Sequence, residues 1–140
     1  MSTFRRATTT WKGPYHGGEA TVSFGSSRLG PFEVAPAVTE ASPPGQTSPM
    51  ELLAAAEASC VCGMMAALLE RAGHVAQELR SSAEVELDGA SIPSVRVRVV
   101  GSVPGLTLEE FTAVAERAKR SCPVSKALSG TVITIASELA

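Results

Sequence analysis

"SPMELLAAAEASCVCGMMAALLERAG", Ser48 to Gly73, is the stretch around which the rest of the chain is read. Ser48 suits an N-cap, Pro49 the first helical position, and Glu51, three residues after the cap, completes a capping box. Gly73 stands where a helix ends in its usual left-handed residue. Between them the segment is apolar on nearly every face, the pattern of a helix buried at the centre of a fold. Its most apolar run, Ala58 to Leu69, is preceded by Glu57 and falls short of the roughly 20 residues a bilayer span needs. A core helix is therefore expected, and no membrane.

Upstream, "RATTTW" and "EATVSFG" are rich in Thr, Val and aromatic residues and are separated by the turn-forming "KGPYHGG", so they read as a hairpin. "FEVAP" reads as a third strand and "EASPPGQTSP" as a loop. Downstream, "RSSAEVELD" and "SVRVRVVGSV" alternate polar and apolar residues with period two, two half-exposed strands joined through "GASIP". "LTLEEFTAVAERAKR" is a second helix, with a Thr107/Glu110 capping box and a Leu106/Phe111 staple. Pro123 breaks the chain, "VSKALSG" reads as a short helix ending at Gly130, and "TVITIASEL" is a last strand. Strands in runs, rather than in strict alternation with helices, define an α+β class with a largely antiparallel sheet and two main helices. One domain over residues 1–140 is expected, a length that suits a single core.

With 44% hydrophobic and 19% charged residues the chain is ordinary globular material. A net charge of −2, with no Lys/Arg block, argues against a nucleic-acid partner. No signal peptide follows Arg5 and Arg6, and the odd count of 3 cysteines fits a reducing cytoplasm better than a secreted disulfide scaffold.

Those cysteines carry the chemistry. Cys60 and Cys62 are two apart, about 200° of helical rotation, and so face opposite sides. That spacing opposes a Cys₃His metal site completed by His16 or His74, which would use a C-x₂₋₄-C knuckle in a turn, and no metal or cofactor is expected. Buried packing is the plain reading of all three thiols. Cys122 stands apart from it: it precedes Pro123 at a helix start, with Lys119, Arg120 and Lys126 close in sequence, and a thiol so placed is the reactive kind. These residues alone leave the choice between packing and a working thiol open.

Set together, "SPMELLAAAEASCVCGMMAALLERAG" and "AKRSCPVSKALSG", with "W-x-G" at Trp11 to Gly13, "TVS" at Thr21 to Ser23 and "VPG" before the second helix, resemble the OsmC/Ohr family of thiol-dependent hydroperoxide reductases, nearer the OsmC branch. The resemblance implies an intertwined homodimer with central helices wrapped by sheets. It also implies a mechanism for oxidative-stress defence. Cys60 attacks an organic hydroperoxide, with hydrogen peroxide a poorer substrate, and becomes a sulfenic acid. Cys122 condenses with it to a disulfide, and a dithiol or a lipoylated protein restores both thiols. Cys62 matches no functional position of the family and is assigned to the core.

The family also supports its first cysteine with a glutamate and an arginine. The corresponding positions here hold Met50 and Gly17, so Glu51, Arg28 and His16 become the candidate supporting residues, Glu51 having a sufficient structural role as a cap. These two departures keep a second reading in view, a redox-sensing or small-ligand-binding module on the same fold.

Overall fold

The caps of the long helix stand where expected, though its capping box is only half made. In the computed structural model, which describes residues 1–35 and 44–140, α1 runs Pro49–Arg71 and the Glu51 N–H donates to Ser48 Oγ at 3.2 Å. The Glu51 carboxylate accepts from the Thr47 hydroxyl (2.7 Å) instead of from the Ser48 N–H, so the reciprocal half of the expected capping box is not made. At the other end Gly73 has φ +89°, the left-handed conformation. Its N–H donates to Glu70 O at 3.0 Å, and the His74 N–H donates to Leu69 O at 2.9 Å. This pair of bonds is the Schellman closure that a C-terminal glycine permits.

The described residues form two compact units, 1–52 and 53–140. The first holds β1 (Thr8–Lys12), β2 (Glu19–Phe24), β3 (Leu29–Val34) and β4 (Gln46–Thr47), side by side in that order. β1 and β2 are the expected antiparallel hairpin, with Trp11 opposite Ala20, and β3 is the expected third strand. β4 was not expected. It emerges from the segment read as a loop and pairs parallel to β3 through two residues; residues 40–43 of that loop lie outside the described residues. A small core of Ala20, Val22 and Val34 is flanked by Phe24 and Leu52.

The second unit holds β5 (Glu78–Val85), β6 (Ser94–Ser102), α2 (Leu108–Ser121), α3 (Pro123–Ala127) and β7 (Val132–Leu139), with strand order β5-β6-β7. β5 and β6 pair antiparallel as their alternation requires. β7 pairs parallel to β6, because the helical segment between them carries the chain back to the end of the sheet where β6 began. The sheet is therefore mixed rather than uniformly antiparallel.

Period two on β6 puts Val95, Val97 and Val99 inside and Arg96 and Arg98 outside. On the exposed face Arg96 pairs with Glu84 (3.3 Å) and Arg98 with Glu138. On the inner face one cluster joins those valines to Val61, Met65, Leu68 and Leu69 of α1 and to Phe111, Ala115 and Ala118 of α2. Both helices thus cover one face of the sheet. The Thr107/Glu110 capping box is complete in both directions, and Leu106 and Phe111 both join the core beneath it.

α1 is long and apolar enough to cross a membrane by length and composition, yet its Val61–Leu69 stripe is committed to this protein core. Its other faces, including Ser59, Gly63, Ala66 and Ala67, are exposed in the single chain.

Gly101 sets a close approach within the core. A Cβ there would lie 2.5 Å from Phe111 Cζ and 3.1 Å from Leu79 Cδ2, and the Phe111 ring is wholly buried and has nowhere to retreat. Gly101→Ala is expected to destabilise the protein by about 1–3 kcal/mol, the usual cost of overpacking, read from urea denaturation midpoints.

Candidate active site

Cys60 lies in the middle of α1, one helical turn after Glu57 and one residue before the buried Val61. Residues three and four apart share a helix face, so Glu57, Cys60, Val61 and Met64 form one stripe toward the second unit's core. Cys122 arrives from the other side. It is at once the C-cap of α2 and the N-cap of α3, with extended φ −68° and ψ 121°, the conformation that a residue before proline prefers. Its N–H donates to Ala118 O (2.9 Å), and its own carbonyl accepts from the Lys126 N–H (3.0 Å). This double anchoring fixes a fully buried sulfur.

The two thiols are neighbours: Cys122 and the Val124 amide are the nearby groups that act on the ionisation of the Cys60 sulfur. The next amide, Ser125 N–H, donates to Cys122 Sγ at 3.4 Å. The first turn of a helix has amide donors with no partner inside the helix; in α3 the Ser125 N–H serves the Cys122 sulfur, and the neighbouring Val124 amide acts to lower the Cys60 pKa. Neither sulfur is in a disulfide: all three cysteines are free.

Beside them lies a carboxylate. Glu57 is 0% exposed, and its Oε1 accepts a short hydrogen bond from the Ser125 hydroxyl. Its Oε2 is buried with no hydrogen-bond partner among the described residues. Burial pushes the Cys60 thiol above its ordinary pKa. The bond to Cys122 and the charges of Cys122 and Glu57 push it the same way, against the lowering effect of the Val124 amide. At neutral pH Cys60 therefore rests as a thiol.

The expected basic neighbourhood of Cys122 is only partly realised. The Lys119 ammonium bonds to Ile133 O (3.3 Å) and pairs with Glu116 (3.1 Å), because the helical i,i+3 spacing supplies a closer anion. Lys119, Arg120 and Lys126 line a shallow surface hollow that also includes Ser125.

The other sequence candidates lie in the first unit. Glu51 is engaged with Thr47 at the helix start. Arg28 takes φ +63° in the tight β2–β3 turn, where its N–H donates to Phe24 O at 2.7 Å. His16 packs edge-on to Tyr15, ring centroids 4.9 Å apart. Cys62, assigned to the core, is half-buried at its margin, because its position turns it toward β5 where its thiol meets Leu79 O (3.6 Å).

Sequence reasoning passed over Glu57 and Ser125. The available signal was an acid in the apolar middle of the helix, away from Glu51 and Glu70 at its two ends and one turn before a cysteine; Ser125 carried none, since its role exists only where α3 meets α1.

The second unit is thus a two-layer α+β module built around a pair of neighbouring thiols, one in mid-helix and one at a Cys-Pro cap. The chain belongs to the OsmC family: residues 42–137 match the family described as OsmC-like protein. It is 28% identical over 138 residues to the protein named Peroxiredoxin OsmC of Escherichia coli (strain K12), covering 94% of both chains. Among solved structures, an OsmC-like protein from Mycoplasma pneumoniae superposes with TM-score 0.78 at 11% identity, over 99% of each chain. The organic hydroperoxide resistance protein OhrB of Bacillus subtilis gives TM-score 0.61 at 21% identity, over 96% of this chain and 98% of that one. The expected α+β fold and the OsmC branch of the family are both borne out.

Proposed function

We propose that this chain is a two-cysteine, dithiol-dependent hydroperoxide reductase. The observation that carries the reading is that Cys122 lies near enough to Cys60 to act on its ionisation, on the buried face that both sulfurs share, so that a sulfenic acid formed on one sulfur would have the other as its neighbour. Cys60 attacks the hydroperoxide, Cys122 resolves the sulfenic acid as a disulfide, and an external dithiol or lipoylated protein reduces it by exchange. Organic hydroperoxides are the preferred substrate and hydrogen peroxide the poorer one, in keeping with the names of the relatives and with the apolar walls around Cys60. The enzyme acts in the cytoplasm, where thiols are kept reduced.

The working unit is a homodimer. Its support is the small-residue stripe of α1 (Ser59, Gly63, Ala66) and the side chains of Leu29 and Phe32 in the first unit, apolar surface that a single chain leaves exposed.

The reduced protein, treated with about one equivalent of cumene hydroperoxide, alkylated and mapped by peptide mass, is expected to show a Cys60–Cys122 disulfide within seconds. Thiols untouched after minutes would remove the peroxidase reading. The raised pKa of Cys60 favours a second reading, a slow redox-sensing module using the same disulfide. It predicts disulfide formation without multiple turnover when dithiothreitol is supplied.

A further inference from the structure

A carboxylate sealed from water with one of its oxygens unpartnered is an expensive thing for a core to hold. Glu57 is in that position, 0% exposed, with Ser125 Oγ on Oε1 and nothing among the described residues on Oε2. Its place relates it to both sulfurs. It precedes Cys60 by one turn on the same helix face, close enough for its charge to act on that sulfur. Through Ser125, whose hydroxyl meets the carboxylate and whose N–H meets Cys122 Sγ, it is tied to the other. Cys60 is faced by no cation in this unit: the titratable groups acting on it are Cys122, from the α2–α3 link, and Glu57, from its own helix.

Resting on the peroxidase reading, we propose that Glu57 is the proton acceptor of the thiol centre, taking the Cys60 proton on Oε2 as the sulfur becomes a nucleophile and returning it when the disulfide forms. In the first step Cys60 Sγ passes its proton to Glu57 and attacks the outer oxygen of the hydroperoxide. The S–O bond forms as the O–O bond breaks, sulfur loses two electrons to the peroxide, and the departing alkoxide takes a proton from water at the open side of Cys60. In the second step Cys122 Sγ loses its proton to solvent and attacks Cys60 Sγ. The S–S bond forms, the S–O bond breaks, and the proton held on Glu57 goes to the leaving hydroxide, giving water. Glu57 ends as it began, and the two solvent protons cancel.

The sign of one substitution separates this role from that of a bystander. As a bystander Glu57 only opposes the thiolate through its negative charge, so Glu57→Gln would raise the thiolate fraction and quicken oxidation at neutral pH. As the proton acceptor its loss slows oxidation by about 10–100-fold at about pH 7, and the deficit narrows at about pH 10, where more of the thiol ionises into solvent unaided. The experiment is single-turnover oxidation of the full chain by cumene hydroperoxide, wild type against Glu57→Gln, at both pH values, with circular dichroism confirming the fold. A variant as fast as or faster than wild type at neutral pH overturns the proposal, and so does a deficit that pH does not alter.

If the variant fails to fold, the wild type decides. Its oxidation rate should exceed, toward lower pH, what its ultraviolet thiolate absorbance accounts for; a rate that tracks that absorbance throughout overturns the proposal. Should hydroperoxide leave the wild type unoxidised, the peroxidase reading fails by itself. Iodoacetamide, whose reaction sheds the same Cys60 proton, then tests Glu57 separately, read on the Cys60 peptide: slower alkylation of Glu57→Gln at neutral pH supports the role, and equal or faster alkylation overturns it.

Discussion

Cys60→Ser is expected to abolish peroxide consumption, with a fall on the order of 10³-fold or more, the scale on which loss of a nucleophile acts. A serine hydroxyl is a far weaker nucleophile toward peroxide oxygen and cannot be carried to a sulfenic acid. The exchange of oxygen for sulfur at a half-buried position leaves Glu57, Ser125 and Cys122 in place, so the melting temperature should move little while activity disappears. The assay is consumption of cumene hydroperoxide with dithiothreitol as reductant. Retained consumption would move the nucleophile to another cysteine.

Cys122→Ser is expected to separate the two halves of the reaction. Cys60 still takes one oxygen, but the sulfur that should displace it is gone. The centre then stops at a sulfenic acid that dimedone traps, or proceeds to sulfinic acid under excess peroxide. Turnover with dithiothreitol falls about 10²-fold or more, because a fixed intramolecular partner is replaced by one that must diffuse in. The buried Cys122 sulfur also caps α3 by accepting the Ser125 N–H, a bond that the serine hydroxyl can replace; a fold defect therefore does not explain the loss. Normal turnover of this variant would show that Cys60 works alone.

The parts of this fold set by short-range chemistry were legible in the sequence. The ends of α1 follow from Ser48, Pro49 and Gly73, and the start of α2 from Thr107 and Glu110, because cap bonds span only three to five residues. The strand faces of β5 and β6 follow from their alternation. The parallel seating of β7 did not, since it depends on where the intervening helices return the chain, and β4, with two residues, has too little pattern to announce itself.

The site divides along the same line. Neither spacing nor composition joined Cys60 to Cys122; the resemblance to a family did, and the fold makes the two neighbours in one core. Glu51, Arg28 and His16 were nominated because the family's supporting positions hold Met50 and Gly17 here. The carboxylate actually beside the thiols is Glu57, whose position shows only once α3 is laid against α1.

Cys122 belongs to two helices at once, ending α2 and beginning α3. The atom that would leave to form a disulfide is therefore also the atom that closes the first turn of a helix only five residues long. Were the proposed disulfide to form, the sulfur that caps α3 would gain a covalent partner, so the redox state of this corner is expected to register in the first turn of α3.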